Sequence, residues 1–341
     1  MSSPPVDVLI TLPFTPDLVS LLQEVSPRLR VTVHRARRPE EVPEDLWARC
    51  DVLYTTPSVL PTPEQAPRLR WIQFHYAGID KALSAPILRK PDVLVTTLSG
   101  AAVPQMGEYV LTMLLALGHR LPAMMESKRK SEWPADRWER FSPRELRDST
   151  VGIVGYGSVG REVARLLRAF GATVLATKRD AMHPADTGYT PEGLGDPQGE
   201  CVRRLYPRTA LRSMARECDF LVVAVPLTPE TRGLVNAEVF AAMKPGAFLV
   251  DISRGGVVDQ EALIEALQSG RLGGAALDVF PEEPLPSDNP LWSLPNVIIS
   301  PHIAGDSPHY DARAARLFAE NLRRYLAGQP LYNLFDPERG Y

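Results

Sequence analysis

The sequence predicts an α/β protein built from two doubly wound parallel sheets. Three observations predict it. Strand-like apolar runs alternate with helix-compatible stretches along most of the chain, a glycine-rich turn stands between one such run and a helix, and 341 residues are too many for one ordinary core. Strands joined through helices pair in parallel, with right-handed crossovers.

In the first part of the chain, residues 6–10, 31–33, 52–54, 71–74 and 93–96 are short apolar or β-branched runs and read as buried strands of a smaller domain. Between residues 104 and 121, Met106, Val110, Met113, Leu114 and Leu117 recur at helical spacing, with Pro104 near the start. Residues 126–148 are charged, carry Trp133 and Trp138, and are expected to form an irregular connection.

A second alternation opens at Thr150. Strands are expected at 151–154, 173–176, 220–225, 248–252, 275–279 and 297–300, with helices at 159–170, 211–216, 237–243 and 260–269. Residues 181–207 are rich in Gly and Pro, lack a period, and are expected as a surface loop. A last amphipathic helix spans about residues 310–326, closed by Gly328, and is expected to return to the first domain.

The hydrophobic fraction of 44% and charged fraction of 23% are those of a soluble globular protein. A formal charge of -3 gives no long-range attraction for nucleic acid or anionic membrane, so neither is expected as a partner. Cys50, Cys201 and Cys218 lie far apart without a CxxC pair. That suits a reducing cytoplasm and argues against a disulfide framework or a metal site. No basic-then-apolar leader is read in residues 1–5, and the longest apolar run, 110–117, is too short to span a bilayer. The 33 prolines are spread through expected loops.

Gly155-Tyr156-Gly157-Ser158-Val159-Gly160 follows the 151–154 run and opens a helix. In that context the spacing has a physical reading as a dinucleotide site. Gly155 makes the tight turn, Gly157 lets backbone approach a pyrophosphate, Gly160 lets helix pack on strand, and Ser158 and Val159 present the helix N-terminus. A glycine-rich turn without a ligand is the bland alternative. At the end of the next strand stand Lys178 and Arg179, with Asp180 just beyond. Two cations suit a 2′-phosphate, so NADP is expected ahead of NAD. Solvated surface charges, with Asp180 turning back to a 2′-hydroxyl, are the alternative.

Three further segments follow strands: Asp251-Ile252-Ser253-Arg254-Gly255-Gly256, Leu277-Asp278-Val279-Phe280-Pro281-Glu282-Glu283-Pro284, and Ser300-Pro301-His302-Ile303-Ala304-Gly305. Beyond the carboxyl ends of strands is where a doubly wound sheet binds its ligand. Taken singly, Arg254 reads as well as a surface cation, Glu283 as a loop acid confusable with Glu282, and His302 as a structural loop histidine. Together with the glycine turn, the ordered set Arg254, Glu283, His302 closely resembles the D-isomer-specific 2-hydroxyacid dehydrogenases, over about residues 71–305.

The resemblance implies two Rossmann-like domains flanking a cleft. The first is flavodoxin-like and discontinuous, residues 1–100 plus 306–341, and takes the substrate. Residues 101–305 form the dinucleotide-binding domain. It implies hydride transfer between NADPH or NADH and a small 2-keto acid, giving a D-2-hydroxy acid. Arg254 would hold the carboxylate, His302 would act as acid and base, and Glu283 would orient the imidazole. Ala77, Gly78 and Ile79 match the segment whose backbone holds the substrate carboxylate. Val225, Pro226, Thr231, Ile252, Ser253, Asp278 and Gly305 match the lining of the cofactor site. The helix near 104–121 and the Trp-containing segment resemble a dimer contact, so a C2 homodimer is implied, with Trp138 a candidate to reach a neighbouring site. Ala102-Val103 departs from the Asn-Thr common in the family. A dinucleotide-sensing interaction protein akin to the C-terminal-binding corepressors is the alternative from another class.

Overall fold

The computed structural model describes residues 4–186 and 188–336. The chain divides into two compact units: residues up to Ala102 together with those from Ser307 onward, and residues from Val103 to Asp306.

The first unit begins with β1 (Val6–Ile10), α1 (Pro16–Gln23), β2 (Leu29–Val33), α2 (Glu44–Arg49), β3 (Val52–Thr55), β4 (Trp71–Phe74) and β5 (Leu94–Thr96). The sheet order is β2-β1-β3-β4-β5, with every pairing parallel. All residues of β1, β3 and β4 are buried, the pattern of strands covered on both faces. Pro16 opens α1, where its missing N–H is no loss.

The second unit runs α3 (Val103–Gly118), α4 (Leu121–Arg129), α5 (Arg137–Arg140), β6 (Thr150–Val154), α6 (Ser158–Ala169), β7 (Thr173–Lys178), β8 (Arg204–Pro207), α7 (Leu211–Ala215), β9 (Phe220–Val223), α8 (Ala237–Ala242), β10 (Ala247–Asp251), α9 (Gln260–Gln268), β11 (Leu272–Leu277) and β12 (Val297–Ile299). Its seven-stranded sheet has the order β12-β11-β10-β9-β6-β7-β8, parallel throughout. The chain winds outward from β6 to β8, then returns to place β9 on the other side of β6. The β6/β9 pair is therefore the switch point where such sheets open a ligand crevice.

Two sequence expectations are corrected here. Residues 126–148 are not wholly irregular: α4 reaches Arg129 and α5 lies within them. α4 is held on its outer face by Glu126, paired with Arg129 at 2.7 Å and Lys130 at 3.1 Å, rather than by an apolar stripe. The stretch 181–207 ends in a strand, β8, which pairs only with β7 at the sheet edge. Arg204 and Pro207 hide it from an apolar pattern, and both are residues an edge tolerates.

The last helix, α10 (Tyr310–Leu326), belongs to the first unit. Its Phe318 ring lies 4.8 Å from Tyr54 of β3 and 5.3 Å from Trp71 of β4, so α10 covers one face of that sheet.

Candidate active site

The exit of β6 is shaped by absent side chains. Gly155 has φ 106°, and a Cβ there would meet Val225 Cγ1 at 2.7 Å and the Ala224 carbonyl at 2.9 Å. A Cβ at Gly160 would stand 2.2 Å from the Gly155 carbonyl, so the third glycine seats α6 on the strand. At Gly157 a Cβ would meet nothing within 4 Å. Open space therefore faces the first turn of α6, where Ser158 and Val159 bring N–H groups that a helix leaves unpaired and the positive end of its dipole. This cradle fits the pyrophosphate of a dinucleotide.

Lys178 ends β7. Its Nζ donates to the carbonyls of His183 and, at 2.8 Å, Ala185. Arg179, beside it, is exposed. Asp180 is paired with His183 Nδ1 at 2.6 Å and accepts the Met182 N–H at 3.1 Å; the His183 bond, above all, holds its carboxyl below the ordinary value. On the other side of the turn, Val225 and Pro226 leave β9. Thr231 is buried and shapes that loop, donating to the Pro226 carbonyl at 2.6 Å and accepting the Thr228 N–H at 2.8 Å.

The exits of β10, β11 and β12 assemble the remaining candidates. Asp251 closes β10, and its Oδ1 accepts both the Ser253 N–H, 3.0 Å, and the Ser253 hydroxyl, 2.5 Å. Burial pushes its carboxyl up to about 7 despite those bonds, and the charge of Asp278 adds to the rise. Ile252 is buried and donates to the Val223 carbonyl at 3.1 Å. Arg254 follows, half-buried, with Nη1 donating to the Ser253 carbonyl at 2.8 Å.

Asp278, 2% exposed, grips the segment after β12. Its Oδ1 accepts the Ser300 hydroxyl at 2.6 Å and the Ile303 N–H at 2.9 Å, and its Oδ2 accepts the Ala304 N–H at 2.9 Å. His302 lies between these anchors with φ 54°, left-handed without being glycine. From α3, Tyr109 bonds Ser300 at 2.6 Å and Gln105 donates to the Gly305 carbonyl at 2.7 Å.

Glu283 Oε2 meets His302 Nδ1 at 2.8 Å, while Oε1 accepts the Phe280 N–H at 3.0 Å. The structure thus resolves the Glu282/Glu283 ambiguity: Glu283 is the one on the imidazole. Partial burial opposes its charge, but the His302 and Phe280 hydrogen bonds and the charges of His302 and Arg254 hold its carboxyl below the usual value. Arg254, Glu283 and His302 are therefore one electrostatic group. The side chains of His302 and Glu283 are 42% and 37% exposed.

Sequence reasoning missed the partners of this group. Gln105 and Tyr109 stand four residues apart on one helix, so their shared face was readable. Their target was not. Asp278 gave no sign that it holds three donors of the histidine segment.

In the first unit, Ala77, Gly78 and Ile79 form the turn after β4, with Ala77 exposed and Ile79 buried. A hub that the sequence did not reveal supports this turn. His75 Nδ1 bonds Tyr54 OH at 2.7 Å, the Tyr310 hydroxyl donates to the His75 carbonyl at 2.7 Å, and the rings of Tyr54, Tyr76 and Tyr310 meet the imidazole edge-on at 5.0–5.6 Å. Burial pushes His75 down to about 4 against the pull of Asp311, so its ring is neutral at pH 7.

Residues 111–304 match the family profile described as D-isomer specific 2-hydroxyacid dehydrogenase, NAD binding domain. A D-3-phosphoglycerate dehydrogenase of Methanocaldococcus jannaschii is 31% identical over 97% of this chain and 59% of its own length. The chain spans about half the length of the phosphoglycerate dehydrogenases it matches. A glyoxylate reductase of Thermococcus kodakarensis is 35% identical over 81% of this chain and 79% of that protein. A D-isomer specific 2-hydroxyacid dehydrogenase from Xanthobacter autotrophicus Py2, solved with NADPH and MES, is 32% identical with a TM-score of 0.80, covering 99% of this chain and 100% of that one. An NADPH-dependent glyoxylate/hydroxypyruvate reductase from Sinorhizobium meliloti, solved with NADP and sulfate, is 30% identical with a TM-score of 0.76, covering 98% and 100%.

Proposed function

The chain belongs to the D-isomer specific 2-hydroxyacid dehydrogenase family, and from that premise we propose that it interconverts a small 2-keto acid and its D-2-hydroxy acid with NADPH or NADH. One observation carries the reading: the 2.8 Å Glu283–His302 pair, on a segment gripped by Asp278, with the Arg254 charge acting on it.

Arg254 pairs its planar guanidinium with the substrate carboxylate and polarises the neighbouring carbonyl. His302, as imidazolium, donates the proton from Nε2, the ring nitrogen Glu283 does not engage, to the carbonyl oxygen. Glu283 fixes the ring orientation and stabilises the cation. In the oxidative direction His302 takes that proton back. When bound, the nicotinamide supplies the hydride in one direction and accepts it in the other. Ala77, Gly78 and Ile79 of the first unit offer backbone N–H groups suited to a carboxylate, and that unit is the substrate domain.

The dinucleotide lies along the second unit. Gly155, Gly157, Ser158, Val159 and Gly160 take its phosphates; Val225, Pro226, Thr231, Ile252, Ser253, Asp278 and Gly305 line its path. NADP is the preferred form. The exposed cation Arg179, just past β7, supports this, as does the engagement of Asp180 by His183, which leaves that carboxylate less suited to a 2′-hydroxyl. The NADPH and NADP complexes of the two similar structures point the same way.

The protein works as a homodimer through the α3–α5 region, where Leu121, Met124, Met125, Trp133 and Trp138 are exposed. It acts in the cytoplasm, a reading supported by three free thiols; among the described residues no helix is long and apolar enough to cross a membrane. The relatives named above are dehydrogenases and reductases, so the interaction-protein alternative finds no support among them.

Oxidation of NADPH and of NADH with glyoxylate, hydroxypyruvate, pyruvate and phenylpyruvate tests the reading. Turnover of at least one keto acid, faster with NADPH and, for the substrates other than glyoxylate, giving the D product on chiral analysis, is expected. Tight nucleotide binding without turnover of any of them would overturn it.

A further inference from the structure

Three successive carbonyls after β7 face two cations. Those of His183 and Ala185 accept from Lys178 Nζ, and that of Pro184, between them, accepts from Arg161 Nη2 at 2.6 Å. Arg161 is 1% exposed although it is charged. Its Nη1 donates to the Asp196 carbonyl at 2.5 Å, its Nε stands 3.3 Å from Asp186, and its guanidinium lies 4.5 Å over the Tyr156 ring.

Tyr156 is itself the second residue of the glycine turn. Its hydroxyl bonds Asp196, whose carboxylate also accepts the N–H groups of Glu200 and Cys201 at 2.9 and 2.8 Å. Glu162, next along α6, accepts the Gly195 N–H at 2.6 Å. The stretch that reads as a loop is thus fastened to the phosphate-binding turn and the helix behind it. A buried arginine and a short hydrogen-bond chain exceed what a surface excursion requires.

The end of the second strand is where a dinucleotide fold distinguishes a 2′-hydroxyl from a 2′-phosphate. A lysine there serves as a phosphate ligand only if its donors are available. An ammonium has three, and two of those of Lys178 are engaged by carbonyls.

We propose that Lys178 is a clamp that fastens residues 181–186 as a wall beside the adenosine end of the site, serving both nucleotides alike. The inference rests on the dinucleotide reading of the glycine turn. Lys178 is on this account a positioning residue: it acts on both nucleotides equally, through the wall.

Lys178→Met, Lys178→Arg and Arg179→Ala separate the wall from phosphate binding. Amide hydrogen exchange over residues 181–186 reads the wall, and calorimetric titration with NADPH and NADH, without substrate, reads binding. Lys178→Met is expected to accelerate exchange there about tenfold or more and to weaken both nucleotides by a similar factor. Lys178→Arg restores both. Arg179→Ala leaves exchange unchanged and weakens NADPH about tenfold more than NADH. The proposal is overturned if Lys178→Met leaves exchange unaltered, if it weakens NADPH alone, or if it frees the segment without changing either affinity. Wild-type protein that binds neither nucleotide would defeat the dinucleotide reading instead, while the exchange experiment still reports on the clamp.

Discussion

Two strand exits of the same sheet, after β6 and after β12, take the backbone into the left-handed region by opposite means. Gly155, φ 106°, gets there by having no side chain. His302, φ 54°, keeps its imidazole and is held there by a neighbour, the buried Asp278, which binds the hydroxyl and N–H groups on either side. The left-handed conformation costs a non-glycine residue about 1–2 kcal/mol, which those three hydrogen bonds offset. The difference follows from what each exit would present under the proposed function. A phosphate is met by bare backbone, so a side chain is an obstacle. A proton is delivered by a side chain, so its support must come from elsewhere. Asp278 is buried, and the group its segment carries is about two-fifths exposed.

The comparison breaks most easily at Asp278. Asp278→Ala strands a hydroxyl and two N–H groups and should cost about 2–4 kcal/mol of stability in a denaturant titration. Turnover should fall with it, since His302 is carried on the released segment. Unchanged stability would mean that the segment holds itself.

At the other exit the glycines should respond differently from one another. Gly160→Ala drives a Cβ to 2.2 Å from the Gly155 carbonyl and should destabilise by about 1–3 kcal/mol. Gly157→Ala meets nothing within 4 Å and should leave Tm unchanged while weakening NADPH binding about tenfold or more. A Gly157→Ala protein that binds normally would show that the open space is not the phosphate site.

Asp251, at the β10 exit, extends the comparison to a support that carries a cost. Its carboxyl is raised to about 7 in the fold, so the folded protein holds a proton that the unfolded chain releases. Its favourable contribution is complete below the ordinary carboxylate range and is lost as pH rises through about 7. Asp251→Asn keeps an oxygen for Ser253 and removes the titration. Its Tm should therefore gain on the wild type between pH 4 and 7 and level off above, by up to about 4 kcal/mol in stability. A constant difference across pH would remove burial as the cause.

The smallest effect belongs to Glu283→Gln. The amide still reaches Nδ1 but no longer stabilises an imidazolium. Keto-acid reduction should fall several-fold, most at high pH. A pH profile that merely scales would take Glu283 out of that role.

Much of the fold is legible because strands buried on both faces appear as unbroken apolar runs. Phe220–Val223 is apolar and buried throughout. β8 is not legible, since an edge strand of Arg204, Leu205, Tyr206 and Pro207 has one partner and little apolar signal. α4 is not either, because ion pairs rather than an apolar face mark it. At the site, the glycine spacing is itself a steric statement and could be read directly. The grip of Asp278, the fastening of Lys178 and the hub around His75 could not. Their partners are backbone groups, or residues as distant as Tyr54 and Tyr310, and neither leaves a local pattern.

In the proposed reaction His302, aimed by Glu283, moves the substrate proton. The single-turnover rate of NADPH oxidation with hydroxypyruvate, wild type against His302→Ala, tests it most directly. A fall of about 10²–10⁴ with NADPH affinity retained is predicted. A rate within a few-fold of wild type would remove His302 from that role.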